Sequence, residues 1–206
     1  MTPANLTWRR LTADQLTRLY ETDLCRDFPA SERKPLAMIL AAEARGSAHS
    51  WGVFEGENLA AYLLMVRPEG CPISHLDYFA VLPDRRAGGL GAQLLAQLPA
   101  HEPGARAIVI EAEWPEKAED EAMAHRRLGF YARAGAVDTG WTEHLFDAWF
   151  QVLVLPCPGQ EPLSGEEAMH QLALCYHENR QGIADADWKK LVRFYRPDGT
   201  EERFGL

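Results

Sequence analysis

Arginines and glycines stand together at one point of this sequence, a combination that binds anions. The run His75 to Leu82 is short and rich in β-forming residues, which predicts a buried strand. A stretch with two arginines, three glycines and then helically spaced leucines follows at 85–98. Because glycines let backbone N–H groups approach an anion, and because a helix N-terminus favours negative charge, this stretch predicts a phosphate site.

Three kinds of phosphate-binding loop are conceivable here. A nucleoside-triphosphate loop needs Gly-Lys-Ser/Thr, which this stretch does not contain. A dinucleotide fingerprint beginning at Gly89 would place its third glycine at Leu94, so that interpretation is weak. The pattern that fits is Arg-x-x-Gly-x-Gly, formed by Arg86, Gly89 and Gly91, with Val81 closing the strand before it.

This pattern resembles the coenzyme A pyrophosphate loop of the GNAT family of N-acetyltransferases. A second stretch, RRLGFYARAGAVDTG at 126–140, resembles the other family signature, a helix that carries Phe-Tyr and is followed by a glycine and a strand. Phe130, Tyr131 and Gly135 occupy those positions. Two motifs in the family's order are more specific than either alone. The resemblance covers about residues 5–156.

The resemblance implies a fold and a reaction. The fold is the α/β (α+β) GNAT fold, a mixed central sheet of about six to seven strands flanked by helices. The reaction moves an acetyl group from acetyl-CoA to a primary amine by direct attack on the thioester. Tyr131 matches the family tyrosine that lies beside the coenzyme sulfur. Since the ordinary pKa of tyrosine is about 10, it can protonate the leaving thiolate.

The resemblance also implies which residues bind the cosubstrate. The backbone at the end of the strand is expected to pair with the pantetheine arm, and an N–H there could face the thioester carbonyl. Arg86 and the glycine amides are expected to hold the pyrophosphate, with Arg85 as an auxiliary or surface residue. The full predicted set is Phe79, Ala80, Val81, Arg85, Arg86, Ala87, Gly88, Gly89, Leu90, Gly91 and Ala92.

Carboxylates on the next predicted strand, at 107–114, are candidates for handling the amine. Glu111 and Glu113 share one face of that strand because side chains alternate along it. Either one could accept a proton or orient a cation, and paired burial is expected to raise the pKa of a carboxylate. Asp77 is a third candidate. His75, expected to precede the central strand, could act, but a lone histidine near a strand end is more often structural.

The remaining elements are predicted from hydrophobic periodicity and turn residues. Thr12 is expected to cap the first helix. The predicted strands are 6–11, 50–55, 59–67, 136–146 and 149–155, and the predicted helices are 13–25, one beginning at 31–35, and 124–134.

The last fifty residues have a different composition. Proline, glycine and glutamine at 156–163 predict a linker, and 166–179 and 185–195 predict two helices on the outside of the core. We therefore divide the chain into a GNAT domain at 1–156 and a linker with a helical C-terminal extension at 157–206, packed on the same domain. The final strands and these helices offer apolar surface that could pair two chains as a homodimer.

Composition restricts the partners. The formal charge is −9, which opposes nucleic acid as a partner and is compatible with a cationic acceptor. No apolar run approaches the ~20 residues of a membrane span and no leader is visible, so neither a membrane segment nor a signal peptide is predicted, and a cytoplasmic location is expected. Four scattered cysteines indicate reduced thiols. His170 and His177 have no third ligand at metal spacing, so no metal is predicted.

Two hypotheses of different classes follow. The first is an acetyl-CoA-dependent N-acetyltransferase that acts on a small amine or a protein amino group. The second is an inactive acyl-CoA-binding module that serves as a sensor or assembly partner. Tyr131 and the complete loop from Arg86 to Gly91 favour the enzyme, since a module without activity has no need of an acid. No motif names the acceptor.

Overall fold

One sheet contains all the strands of the computed structural model, which describes residues 6–86, 88–180 and 184–204. In the order of the chain, its strands are β1 (Leu6–Arg10), β2 (Ala48–Glu55), β3 (Asn58–Val66), β4 (Ile73–Val81), β5 (Ala107–Glu113), β6 (Val137–Leu145), β7 (Ala148–Pro156), β8 (Val192–Tyr195) and β9 (Glu201–Glu202). In space they follow the order β1-β2-β3-β4-β5-β7-β6-β8-β9. Only the β4–β5 pair is parallel among the described pairs.

The helices cover both faces of this sheet. They are α1 (Ala13–Leu19), α2 (Cys25–Asp27), α3 (Leu36–Ala44), α4 (Leu90–His101), α5 (Glu121–Arg133), α6 (Gly165–Asn179) and α7 (Asp185–Leu191). A π-helical turn, Tyr20–Leu24, joins α1 to α2. Thr12 caps α1 as predicted, and with Gln15 it forms a reciprocal capping box.

Two faces of the sheet carry separate cores. On one face, α4 and α5 pack over the sheet in a core that includes Leu94 and Leu98 of α4 and Ile108 and Ile110 of β5, all 1% exposed or less. On the other face, α1 and α3 pack over β3 and β4, and α6 packs over the strands from β4 to β8. Because neighbouring residues of a strand point to opposite faces, each strand contributes to both cores.

Strands β4 and β5 are paired over only part of their length. Their parallel register runs from Ile73 opposite Ala107 to Leu76 opposite Ile110, and then ends. Beyond that point β4 stays paired with β3, with a bulge at Asp77, and β5 stays paired with β7. The two strands therefore separate, and their unpaired backbone edges line a cleft in the middle of the sheet.

The C-terminal segment differs from its prediction in two respects. The second predicted helix, 185–195, ends at Leu191, and the four residues after it form β8, which pairs with β6. The helix α6 does not lie outside the core, since Met169 and Leu172 are 0% exposed and Tyr176 is 5% exposed. The predicted α/β fold class is confirmed, and β8 and β9 raise the number of strands to nine in the described residues.

The described helices include none that combines the length and the apolar character needed to cross a membrane.

Candidate active site

The cleft between β4 and β5 separates two groups of side chains. Phe79 and Val81 of β4 point to the face covered by α4 and α5, where Phe130 and Tyr131 also pack. Since the sheet alternates, Glu111 of β5 points to the opposite face, towards α6. A molecule threaded between the strands would meet the loop after β4 at one end and side chains from both faces at its middle.

The loop after β4 leads straight into a helix N-terminus. A 3-10 turn, Pro83–Arg85, ends the strand, and Gly89, with φ of 75°, is the residue before α4. Among the described residues no side chain caps α4, and the first turn of α4 has no acidic residue. The first amides of a twelve-residue helix are thus left to bind an anion, and the left-handed φ at Gly89 is one that other residues adopt only with strain.

Gly91 has little room for a side chain, because a neighbouring helix packs close to it. A Cβ atom on Gly91 would lie 3.1 Å from Cζ of Phe130, which comes from α5. Phe130 in turn stacks on Phe79 of β4, with ring centroids 6.4 Å apart. The two sequence motifs therefore meet in space, because the glycine of the first lets the aromatic residue of the second approach the loop.

The two arginines of the loop have different partners. Arg86 donates from Nε to the Val81 carbonyl at 2.9 Å and from Nη2 to Asp27 at 2.9 Å, and its side chain is 55% exposed. Arg85 pairs with Glu55 of the β2–β3 hairpin at 3.0 Å. Of the residues predicted to bind the cosubstrate, Ala87 lies outside the described residues, and the others line the end of β4, the loop and the first turn of α4.

Tyr131 lies on α5 beside the cleft, half-buried against the core that α4 and α5 cover. Burial raises the pKa of its phenol, and the charge of Arg127, one turn away, opposes that rise. The hydroxyl therefore stays protonated at neutral pH and can donate a proton or a hydrogen bond.

The two candidate carboxylates have different surroundings. Glu113, near the outer end of β5, forms an ion pair with Arg127 at 3.0 Å and is 26% exposed. Glu32, from the segment between α2 and α3, interacts with both Glu113 and Arg127. Burial raises the pKa of Glu32, the charge of Arg127 lowers it, and the charge of Glu113 raises it. Glu32, Glu113 and Arg127 form a charged rim, which we call the mouth of the cleft.

Glu111 lies deeper, in a buried cluster. Its Oε1 accepts a hydrogen bond from the Tyr176 hydroxyl at 2.5 Å, and its Oε2 is 3.2 Å from Nε2 of His75. Burial alone would raise the pKa of Glu111, but His75 beside it and the hydrogen bond from Tyr176 lower the pKa overall. Glu111 is therefore a charged carboxylate inside the protein.

Glu143 of β6 completes the cluster and is 0% exposed. Burial and the charge of Glu111 both raise its pKa, so Glu143 stays protonated at neutral pH while Glu111 is charged. The expectation that paired burial of Glu111 and Glu113 raises a carboxylate pKa is not met at Glu111, whose pKa is lowered. The carboxyl that interacts with Glu111 comes from another strand, and its pKa is the one that rises.

Two further charged groups lie at the edge of the cluster. Lys34 donates to Asp77 at 2.8 Å, and its Nζ lies 5.5 Å from the ring centre of Tyr176. Asp77 is the bulge residue of β4, and its side chain is 11% exposed. His75 does not precede β4 as expected. It is the third residue of the strand and is 1% exposed, so it faces Glu111 rather than solvent.

Sequence reasoning found one side of this cluster and missed the other. It selected Glu111, but it passed over Glu143 and Tyr176, which stand 32 and 65 positions further along the chain. The local signal for Glu143 is its position within a strand, β6, several of whose other residues are partly buried. The arrangement as a whole offers an anion site at the loop, a phenol on one face of the cleft and a fixed negative charge on the other.

Known proteins share features of this sequence and fold. The sequence matches the family model described as the acetyltransferase (GNAT) family over residues 13–135, more than half of the chain. Among curated proteins the comparison found no match.

Solved structures share the fold. A GNAT-family protein from Bacteroides thetaiotaomicron superimposes with a TM-score of 0.63 at 22% identity, covering 86% of this chain and 99% of that one. The ribosomal-protein-S18-alanine N-acetyltransferase of Escherichia coli gives 0.56 at 17% identity, over 77% and 96% of the two chains. A spermidine N-acetyltransferase of Vibrio cholerae, solved with CoA and spermine, gives 0.55 at 11% identity, over 74% and 95%.

Proposed function

The chain belongs to the acetyltransferase (GNAT) family, and from this premise we propose that it moves an acetyl group from acetyl-CoA to a primary amine by direct attack of the amine on the thioester. The observation that carries the proposal is the split between β4 and β5, with an uncapped helix N-terminus at one end and a buried carboxylate on one side. Membership of the family makes the chain an acyltransferase. The acceptor and the roles of the individual residues are part of the proposal.

The loop is suited to the pyrophosphate of the cosubstrate. The amides of Gly88, Gly89 and Gly91 and the dipole of α4 offer donors and positive potential, and Arg86 reaches the same place. The free edge of β4 from Phe79 to Val81 offers backbone groups to the pantetheine arm, because β4 is no longer paired with β5 there.

The reaction needs one bond made and one broken. The neutral amine nitrogen forms a bond to the thioester carbon, the carbon–sulfur bond breaks, the nitrogen gives up a proton to solvent water, and the departing sulfur gains one from Tyr131. Tyr131, protonated at neutral pH, supplies the proton to the sulfur from the α5 face of the cleft. The amine approaches from the opposite face, where Glu111 lies.

Glu111 acts through its charge rather than as a strong base. A carboxylate with a lowered pKa is reluctant to take a proton, but it stabilises a nearby cation. Attack by an amine creates positive charge on nitrogen, and a fixed negative charge beside it lowers the energy of that state. Glu113 acts earlier, at the mouth of the cleft, where it and Glu32 attract a cationic acceptor.

The acceptor is therefore a molecule or side chain with a primary amine, which arrives as the ammonium ion and loses one proton to solvent water before it attacks. Two of the structural neighbours act on amines of this kind, spermidine in one and the alanine of a ribosomal protein in the other. The net charge of −9 favours a cationic partner at a distance as well.

The test is release of free CoA from acetyl-CoA across polyamines, amino acids, aminoglycosides, arylamines and short peptides with a free lysine or N-terminal amine. Tyr131→Phe should lower kcat by about 100-fold, because the proton for the leaving thiolate is lost. Its Kd for acetyl-CoA, measured by calorimetry, should stay within about twofold, since the loop is untouched.

Tyr195→Phe is the matched control, because it removes a phenol of β8 that lies outside the cleft. Equal kcat in Tyr131→Phe and the wild type would disprove the acid role. If acetyl-CoA binds but no amine in the panel accepts the acetyl group, the alternative of a coenzyme-binding module gains the support that the enzyme loses.

A further inference from the structure

The helix α6 lies outside the 13–135 segment that the family model matches, yet one of its side chains reaches the centre of the cleft. We propose that α6 is a working part of the active site, because the hydroxyl of Tyr176 positions Glu111 at the point where β4 and β5 separate. Tyr176 is thus a positioning residue that acts through Glu111. This inference rests on the proposed function for the role of Glu111, but not for the contact itself.

The contact is short, buried and directional. Tyr176 is 5% exposed, and its hydroxyl donates to Oε1 of Glu111 at 2.5 Å across 65 positions of sequence. The other oxygen of the same carboxylate faces His75 at 3.2 Å. With one oxygen held from α6 and the other facing β4, the carboxylate has a single orientation.

A second group fixes the charge of Glu111. Burial and the charge of Glu111 raise the pKa of Glu143, from β6, so Glu143 stays neutral and adds no second negative charge beside Glu111. A buried carboxylate normally loses its charge, because the charge is poorly solvated. Here His75 lies 3.2 Å from the carboxylate and the Tyr176 hydroxyl donates to it in place of water, so the charge is retained inside the protein.

The surroundings of Glu111 contain charges of both signs. His75 faces it from β4, Glu143 from β6 and Tyr176 from α6. Beside the ring of Tyr176, Lys34 forms an ion pair with Asp77 at 2.8 Å. Among the groups around Glu111, the charge of His75 lowers its pKa most, and the Tyr176 hydroxyl lowers it further.

The apolar packing of α6 explains how the hydroxyl is held in place. Met169, Leu172 and Ala173 lie on the buried side of α6, each 1% exposed or less, against residues of β4, β5 and β7. Tyr176 is one helical turn beyond Leu172 and Ala173, on the same side. A side chain anchored in this way loses little freedom when it binds Glu111, and it holds the carboxylate rigidly for catalysis.

Removing the hydroxyl gives a direct test. In Tyr176→Phe the carboxylate loses a donor, so its charged form is less stable and the pKa of Glu111 rises. We expect the titration midpoint of Glu111 to move up by about one pH unit, the size of one hydrogen bond to a charged group. The measurement is carbon-13 NMR of glutamate-labelled protein, with the Glu111 carboxyl signal assigned as the one missing from Glu111→Gln.

The effect on catalysis is measured with the same variant, Tyr176→Phe. We expect kcat to fall by about tenfold while the Kd for acetyl-CoA changes less than about twofold, since a misplaced charge affects the reacting nitrogen and not the loop. Met169→Leu is the control, because it changes packing on the same side of α6 without touching the hydroxyl.

The outcomes separate the two proposals. An unmoved Glu111 midpoint in Tyr176→Phe, or the same shift in Met169→Leu, overturns the positioning role. A moved midpoint with unchanged kcat overturns the claim that α6 works in the active site. Because the NMR titration needs no substrate, a wild-type protein that transfers no acetyl group would refute the proposed function and leave the Tyr176 contact to be judged by the titration.

Discussion

Arg86 is already bonded within the protein, and this bonding bears on how it would bind a phosphate. Its guanidinium donates to the Val81 carbonyl and to Asp27, whose carboxylate also accepts from Arg26 at 2.8 Å and from the Tyr62 hydroxyl at 3.1 Å. Asp27 thus has other donors when Arg86 leaves. A pyrophosphate can compete for Arg86 without stranding a buried charge.

We expect Arg86→Ala to raise the Kd for acetyl-CoA by about tenfold, because a charge-assisted hydrogen bond to phosphate is lost. Calorimetric titration with acetyl-CoA is the measurement. Arg85→Ala is the matched comparison, because it removes the same charge from a side chain that pairs with Glu55. Equal losses in the two variants would mean that only the total charge of the loop matters and that Arg86 has no special position.

At the residue scale, sequence was a good guide to motifs and a poor guide to partners. The spacing of Arg86, Gly89 and Gly91 predicted an anion loop, and the structure places that loop at a helix N-terminus. Alternation correctly placed Glu111 and Glu113 on one face of β5. Alternation could not tell which of them is buried, because that depends on α6 and β6, which meet β5 only after the chain has folded.

At the scale of elements, one buried carboxylate ties three of them together. Glu102, at the end of α4, has a side chain that is 1% exposed. It accepts hydrogen bonds from Ser74 of β4 at 2.7 Å and Trp51 of β2 at 3.0 Å, and it lies 2.7 Å from the His49 ring. Nothing local in the sequence shows that three donors converge on Glu102.

Glu102→Gln should lower the free energy of unfolding by about 2 kcal/mol at pH 7, because an amide replaces a buried charge that accepts several hydrogen bonds. Burial raises the pKa of Glu102, but His49, Trp51 and Ser74 lower it overall. Its contribution is thus present above the ordinary glutamate pKa of about 4.3 and is lost as the pH falls through the lower folded pKa.

Urea denaturation of both proteins between pH 7 and pH 3 is the measurement, and the difference between their unfolding free energies should shrink as the pH falls. Glu57→Gln is the control, because Glu57 pairs with Arg9 at the surface and is 87% exposed. Its urea midpoint should match that of the wild type. A difference between Glu102→Gln and the wild type that stays constant with pH would contradict the assignment.

The sequence wrongly predicted a helix at residues 192–195, which form the strand β8. Residues from Trp188 to Tyr195 have apolar side chains at spacings that suit the end of a helix or a short strand, so the pattern is ambiguous. The exposed edge of β6 decides between them, because Val192–Tyr195 can pair with Thr142–Leu145. Strand formation of this kind depends on a partner far along the chain and not on local propensity.

At the scale of the whole molecule, the division at residue 156 stays a prediction, and the packing of α6 bears on it. Ala168, Met169 and Leu172 of α6 are fully buried against Ile73 and Val109 of the sheet. Each side therefore has an apolar face that the other covers. A sheet face of that kind, once bared to water, favours aggregation over a stable monomer.

We therefore expect a chain cut after Pro156 to lose cooperative unfolding or to precipitate, because the core beneath α6 would be exposed. In the full chain, Leu172→Ala should lower the unfolding free energy by about 3 kcal/mol, the usual effect of a cavity at a fully buried leucine. Lys189→Ala on the exposed side of α7 is the control and should leave stability unchanged. If the cut chain instead unfolded cooperatively at the midpoint of the full protein, the C-terminal segment would be a separate unit, and Tyr176 could not be a fixed part of the cleft.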